Sequence, residues 1–312
     1  MQAELQKLRE KQARLRRKEA WRKARLPIIF AIIAGALVLC ALLWRSRKPV
    51  PRFENALSVW FLDVGQGDAT LIYNDDAAIL IDSGEYEQGG RVKDALDALR
   101  ISHLDAVILT HPHSDHIGGL TVALDKIQAD SLYLPAFPDT LVPTGYSFEA
   151  MLNLVEKRKI PLVTPHCGDI LTFGDLQLTM LSVDNSAAED LNDCSLVCRV
   201  QYGNTSFLIV GDASEAEEQA LLANGLISPN NVLRCGHHGS ASASSDAFLD
   251  AVSPDFAVIS VGAGNDYGHP ADAALHRLEA HGAELFRTDT DGTILAVSDG
   301  SNIDFSTHYL WN

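Results

Sequence analysis

Cysteine is sparse in this chain, and so is positive charge where most of the residues lie. Five cysteines in 312 residues, at positions 40, 167, 194, 198 and 235, show no regular spacing, which excludes a disulfide framework as the basis of the fold. Cys194 and Cys198 fall on one predicted strand, about 13 Å apart at strand rise and so beyond the reach of a disulfide. Residues 53–312 contain 11 Lys and Arg against 38 Asp and Glu, a net charge of −27. That balance excludes the broad basic face that nucleic-acid binders usually present. A bound divalent cation would reverse the sign only locally. Low-complexity tracts and short repeats are absent as well.

The first fifty residues are the opposite in character. Residues 1–25 carry ten Lys and Arg against three Glu, a net charge of +7. Leu26 to Trp44 then runs for 19 residues without a charge, about 28 Å as a helix and close to the hydrocarbon thickness of a bilayer. Trp21 and Trp44 bracket it at interfacial depth. Arg45, Arg47, Lys48 and Arg52 follow, fewer than the ten before it. The expected organisation is a basic cytoplasmic tail over 1–25, a transmembrane anchor over 26–44, a linker over 45–56 and a large domain over 57–312. The excess of basic residues before the span implies a single-pass protein of the plasma membrane with an extracytoplasmic domain. A cleaved signal is disfavoured because Leu43-Trp44-Arg45-Ser46 offers no small-x-small site. Leu39 is too bulky for lipoprotein processing at Cys40.

Within the large domain the densest chemistry is His111-Pro112-His113-Ser114-Asp115-His116. An apolar run, Asp105 to Thr110, precedes it and reads as a buried strand ending in a ligand-rich loop. Imidazole suits zinc, iron and nickel, and carboxylate suits zinc and manganese. Spacing by two puts His111 and His113 on one side of an extended segment. Asp115 and His116, where the chain turns toward Ile117-Gly118-Gly119, face a second ion. Four other apolar runs end comparably: in Asp82, in Asp212, in His237-His238-Gly239-Ser240, and in the Asn265–Pro270 loop bearing His269. Singly, each is ordinary turn chemistry. Together they gather ligands at one sheet edge.

Strands are predicted over Leu57–Leu62, Ala69–Tyr73, Ala77–Ile81, 105–110, 131–134, Ile170–Phe173, Leu176–Leu181, Leu196–Tyr202, Ser206–Val210, Val232–Cys235, Ala257–Val261, Glu284–Arg287 and Thr293–Val297. Helices are predicted over Arg91–Arg100, 118–128, Phe148–Lys159, Ser214–Ala223, Ser245–Val252 and Ala271–His281. Ser214 and Glu217 are spaced as a capping box. Runs of strands with interspersed helices imply one α/β domain, two sheets with helices outside them.

With these segments in hand, the domain resembles the metallo-β-lactamase fold, an αββα sandwich with a binuclear metal site. His111-x-His113-x-Asp115-His116 matches its defining loop. Asp82 matches the early Asp, Asp212 the later bridging Asp, and His237 or His238 the last metal-binding histidine. Phe61 to Thr70, Gly236 to Ser240 and Asn265 to Pro270 are similar to the hydrolase-like domain of ComEC-type DNA-uptake competence proteins. The resemblance implies metal ligands His111, His113, Asp115, His116, Asp212, His237 and His238. It places Asp63, Gln66, Asp68, Asp82, Asn192, Ser195, Ser240 and Tyr267 around them, as supports or substrate contacts. The fold's third histidine of the first ion has no match; that region reads Leu191-Asn192-Asp193-Cys194-Ser195, where Cys194 falls at a useful place but reads as a buried or bystander thiol, and His166 is a weak substitute. A full competence protein also carries a polytopic channel, and this chain has one expected span.

The expected cofactor is a pair of divalent ions, zinc first, manganese or iron next. The expected reaction is hydrolysis of a phosphodiester by metal-activated water, with Asp115 orienting or deprotonating that water and His269 stabilising phosphoryl charge or protonating the leaving group. DNA is one expected substrate; the charge of −27 favours a small cell-envelope phosphoester. A metal-stabilised surface module that binds DNA or a protein without turnover is the rival of another class.

Overall fold

The structure is a computed structural model that describes residues 1–46, 52–181 and 185–309, without the side chains of 3, 24, 26, 37, 39–46, 308 and 309. The chain divides into two units, Met1–Pro49 and Val50–Asn312. The first is a helix over Gln2–Ser46 with Pro27 inside it. Among the described residues no helix is long and apolar enough to cross a membrane. The side chains at 37 and 39–44 of the uncharged run, those of Cys40 and Trp44 among them, lie outside what is described. So do positions 47–51 of the expected linker.

The second unit is built on two sheets. Eight strands form the first, in the order Ile303–Tyr309, Thr293–Ser298, Leu57–Phe61, Thr70–Tyr73, Ala78–Ile81, Ala106–Ile108, Leu132–Tyr133, Leu162–Val163. Seven form the other, in the order Glu284–Arg287, Phe256–Ile259, Val232–Arg234, Thr205–Ile209, Val197–Tyr202, Leu176–Leu181, Ile170–Phe173.

The period-2 alternation of β-structure sorts their side chains into three cores. Leu57, Val59, Phe61, Ile79 and Ile81 of the first sheet share a core with Phe207, Ile209, Val232 and Val258 of the second. Trp60, Leu71 and Leu80 point the other way, onto Val92, Leu96, Leu120 and Met151. Leu208, Leu233, Ala257 and Ile259 meet Leu221, Phe248, Leu249 and Leu278. Helices Gly89–Ala98 and Tyr146–Arg158 carry part of the second core, and Glu215–Ala223, Asp246–Val252 and Asp272–Ala280 part of the third. The result is the expected αββα sandwich. Each fully buried large aliphatic side chain contributes about 2 kcal/mol of hydrophobic stabilisation.

Three expectations need correction. The helix predicted over 118–128 is two single turns, Ser114–Ile117 and Leu120–Ala123. The break falls at Gly118-Gly119, where the Gly119 N–H donates to the Gly84 carbonyl oxygen at 2.8 Å instead of continuing the helix; a Cβ on Gly119 would lie 2.1 Å from the Ser83 carbonyl oxygen, so only glycine fits. The capping box is half formed: Ser214 Oγ accepts from the Ala216 N–H at 3.1 Å, while the Glu217 carboxyl is buried without a hydrogen-bond partner. A last strand, Ile303–Tyr309, was not expected. It pairs antiparallel with Thr293–Ser298.

What positions the site is the parallel part of each sheet. Ala78–Ile81, Ala106–Ile108 and Leu132–Tyr133 run parallel, as do Thr205–Ile209, Val232–Arg234 and Phe256–Ile259. Their carboxyl ends lead into Asp82, His111, Asp212 and His237-His238, where open α/β sheets gather ligands.

Candidate metal centre

Asp82 takes a left-handed backbone, φ 58°, uncommon for a residue with a side chain. Its carboxylate accepts from the Thr110 N–H at 2.8 Å and the Thr110 hydroxyl at 2.7 Å, which fixes the end of the preceding strand. It also lies 2.8 Å from His116 Nδ1. A carboxylate behind an imidazole sets the ring's tautomer and aims its other nitrogen forward. His116 Nε2 is 3.3 Å from Asp212 Oδ1.

His238 is held in the same manner. Its Nδ1–H donates to the Ser260 carbonyl oxygen at 2.9 Å. Its Nε2 lies 3.2 Å from Asp115 Oδ2 and 3.4 Å from Asp212 Oδ2. His237 and His238 are both left-handed, φ 47° and 52°, at a strain of about 1–2 kcal/mol each. Strain of this kind persists only where the surroundings hold it, and it clusters at functional sites.

Asp115, His116, Asp212 and His238 each offer one ligand atom, all within 4.8 Å of one another. His116 Nε2 and Asp212 Oδ1 are buried without hydrogen-bond partners. Two nitrogens whose rings donate backward thus face carboxylate oxygens, an arrangement that a bound cation would satisfy. Without an ion, the carboxylates hold protons on the two rings instead. Despite burial, Asp212, Asp82 and Asp115 raise the His116 pKa well above its ordinary value. Despite burial, Asp212 and Asp115 push His238 up to about 9. Burial works against ionisation of Asp115 and Asp212, but the imidazole charges of His116 and His238 hold both below the usual carboxylate range. These donors fit a divalent ion with imidazole and carboxylate ligands.

His111 and His113 stand beside this pocket. His111 Nε2 is 2.9 Å from His113 Nδ1 and 4.0 Å from Asp212 Oδ2. Burial, then the neighbouring His116 charge, lowers the His111 pKa well below its ordinary value, so its ring is neutral and ready to ligate. Asp212 therefore faces both groups of histidines. No third imidazole arrives from residues 191–196. Ser195 Oγ instead accepts from the Asp212 N–H at 3.1 Å, and Asn192 Oδ1 is buried without a partner. Cys194 joins none of the ligand groups found among the described residues; its thiol donates to the Asp190 carbonyl oxygen at 3.8 Å, and burial, then Glu217 and Asp193, pushes its pKa up to about 11. His166 is exposed and lies 3.6 Å from Asp169.

Of the remaining expected residues, Asp68 lies behind the pocket. Its N–H donates to the Asp115 carbonyl oxygen at 3.1 Å. Gly67 makes that approach possible: φ is +138°, and a Cβ there would sit 2.4 Å from the same oxygen. Gln66 Oε1 accepts from the Gly262 N–H at 3.2 Å, tying the loop to the opposite sheet. Asp63 is engaged elsewhere, with Arg91 at 2.8 Å and the Gly65 N–H at 3.1 Å. Ser240 Oγ pairs with Ser242 Oγ. His237 Nε2 is 3.9 Å from Asp212 Oδ2 and half exposed, so His238 is the better-held ligand. His269 packs on His237 and Tyr267 on His269.

Arg234 was missed. It is fully buried, with Nε 2.8 Å from Asp68 Oδ2. Its Nη1 donates to the carbonyl oxygens of Gly211 at 2.5 Å and Cys235 at 2.9 Å, and lies 3.8 Å from Asp212 Oδ1. One guanidinium therefore braces the turns that carry Asp212 and His238. The signal was present: it is the sole Lys or Arg between 199 and 277, set at the end of an apolar strand directly before the histidine pair.

Fold and pocket together define a protein built to hold divalent cations at the rim of two packed sheets. The sequence profile of the Metallo-beta-lactamase superfamily matches residues 62–263, and the chain belongs to that superfamily. It is 33% identical over 265 residues to Competence protein ComA of Neisseria gonorrhoeae, covering 83% of this chain and 35% of that protein. Exodeoxyribonuclease YycJ of Bacillus anthracis is 29% identical over 129 residues, 40% of this chain and 44% of that one. The crystal structure of the metallo-beta-lactamase fold protein YhfI from Bacillus subtilis superposes with a TM-score of 0.50 at 14% identity, over 76% of this chain and 98% of that one. At that identity the likeness shows the fold alone. The chain spans about a third of the length of the curated competence relatives it matches.

Proposed function

We propose that this chain is a membrane-anchored, metal-dependent hydrolase of phosphodiester bonds, nuclease-like in its substrate. The observation that carries this reading is the set Asp115, His116, Asp212 and His238, the last three buried and Asp115 half-buried, with all four ligand atoms within 4.8 Å. Beside it, His111 and His113 offer donors for a second ion. When bound, a pair of divalent ions supplies Lewis acidity toward a phosphoryl oxygen and acidifies water. A nuclease-like substrate is supported by the names of two relatives, a competence protein and an exodeoxyribonuclease.

The chain's own groups divide the remaining work. Asp212, 4% exposed in its side chain, fixes the two groups of histidines against each other. Asp115, 26% exposed and held ionised, is the carboxylate that reaches solvent and can orient attacking water by accepting its hydrogen bond. Burial, then His237 and His238, lowers the His269 pKa. Its ring is therefore neutral near pH 7 and contributes an N–H hydrogen bond to a phosphoryl or leaving oxygen. The basic tail and uncharged run favour an amino terminus in the cytoplasm and a domain outside the plasma membrane.

The test uses the full-length chain in detergent, loaded in turn with zinc, manganese and ferrous iron, on methyl p-nitrophenyl phosphate and an oligonucleotide. Turnover that disappears on chelation and in Asp212→Asn is the expected result. Two ions bound per chain with no diester cleaved in any metal would replace the enzyme with a non-catalytic module. Protease treatment of intact spheroplasts tests orientation: digestion of the large domain from outside is expected.

A further inference from the structure

A ladder of rings leads out of the metal centre. His237 Nε2 lies 3.9 Å from Asp212 Oδ2. His237 meets His269 edge-on, with centroids 5.6 Å apart at 78°. His269 in turn stacks with Tyr267, centroids 5.9 Å apart at 26°. Tyr267 is nevertheless 72% exposed. The loop that presents it is pinned by one side chain. Asn265 Oδ1 accepts from the N–H groups of Tyr267 and His269, both at 3.1 Å. Asn265 Nδ2 donates to the carbonyl oxygens of His269 at 2.6 Å and Gly262 at 2.9 Å. An aromatic ring fixed in place yet left in water forfeits its own burial, and a planar ligand can supply the missing face.

For a base-bearing substrate, the charge balance leaves stacking to do what phosphate contacts cannot. Nucleic-acid binders draw most of their affinity from Lys and Arg against phosphate, and this domain has 11 such residues against 38 acids. Stacking needs no charge, tolerates any base, and contributes about 5- to 150-fold in affinity per base. We propose that Tyr267 and His269 form a stacking subsite for a nucleobase beside the scissile phosphodiester, which makes the substrate base-bearing rather than a polyol or lipid phosphoester. For the bond that is cut this rests on the hydrolase reading above; for what is bound it rests on the ring ladder.

The experiment compares a short labelled oligothymidylate with an abasic strand carrying the same number of phosphates. Full-length chain in detergent with manganese is assayed for anisotropy and for cleavage. The oligothymidylate is expected to bind about tenfold tighter than the abasic strand or more. That preference disappears in Tyr267→Ala and survives in Tyr267→Phe. Equal affinity for the two strands in the wild type, or a preference that persists in Tyr267→Ala, overturns the subsite. Preferential binding without cleavage of either strand or of methyl p-nitrophenyl phosphate retains the subsite and removes the hydrolase. Cleavage of methyl p-nitrophenyl phosphate with no base preference does the reverse.

Discussion

The two halves of the metal centre are built to different standards. In one, Asp115, His116, Asp212 and His238 converge within 4.8 Å, and each imidazole is fixed from behind, His116 by Asp82 and His238 by the Ser260 carbonyl oxygen. In the other, His111 and His113 lie 2.9 Å apart, and the corner where a third imidazole would stand is the turn Asn192–Cys194. Geometry preset by supporting hydrogen bonds lowers the cost of binding. The difference therefore predicts two unequal affinities, a tight ion in the half with His238 and an exchangeable one in the half with His113.

Asp212 is shared, so its removal breaks the comparison altogether. Asp212→Asn is expected to lower the ion content from two per chain to below one by elemental analysis, and turnover by about a thousandfold or more. Retention of both ions at wild-type affinity would show that the carboxylate is not the bridge. Next in size is Arg234→Met. It leaves Asp68 buried and uncompensated, which costs about 3–5 kcal/mol, measurable by urea unfolding with metal withheld. Arg234→Lys restores the charge without the fork and should fall between the two. An unchanged midpoint in Arg234→Met would remove the brace.

A smaller effect sharpens the contrast instead of destroying it. Asp82→Asn removes the support behind His116 and should weaken the tight ion by about 10- to 100-fold, read by competition with a chelator. His113→Ala should release the exchangeable ion and leave the tight one near its wild-type affinity. Loss of both ions in His113→Ala would mean that the halves are one cooperative site.

How much of this could be read beforehand follows from the range of each interaction. Ligands that end apolar strands are local facts of sequence. Their loop, the four-layer order of elements and the later Asp and His positions were therefore all readable, as was the absence of a third histidine. Arg234 was not, because its meaning depends on Asp68, 166 residues earlier, closing over it through a loop that only Gly67 permits. The two short turns at Ser114–Ile117 and Leu120–Ala123 were hidden for the same reason: local pattern favours a continuous helix, but the Gly119 N–H donates to the Gly84 carbonyl oxygen and the Asp115 carbonyl oxygen accepts from Asp68, so the rung that would join the turns is not made. Choosing between His237 and His238 required the Ser260 carbonyl oxygen, which sequence does not place.

The last effect, smallest over the single pH unit in which it is read, concerns the incomplete half from behind. The Glu217 carboxyl is buried without a hydrogen-bond partner, close enough to the Asn192–Cys194 turn for each to shift the other's titration. Burial, then the charge of Asp193, pushes its pKa from 4.5 up to about 9. The native chain thus keeps a proton that the unfolded chain releases near 4.5. Below that pH both states are protonated and stability is unaffected. Above it the unfolded state gains on the native one by up to about 1.4 kcal/mol per pH unit, until the native carboxyl ionises near 9. Glu217→Gln cannot titrate and should flatten the decline. Between pH 7 and pH 8 the wild type should lose about 1 kcal/mol relative to the variant, and the two curves should run parallel below pH 4.5. Urea midpoints of the full-length chain across that range read the slope directly, and any constant offset from the amide drops out. Parallel curves from pH 5 to pH 8 would show that the Glu217 carboxyl is ionised in the native chain, and the raised pKa would be overturned.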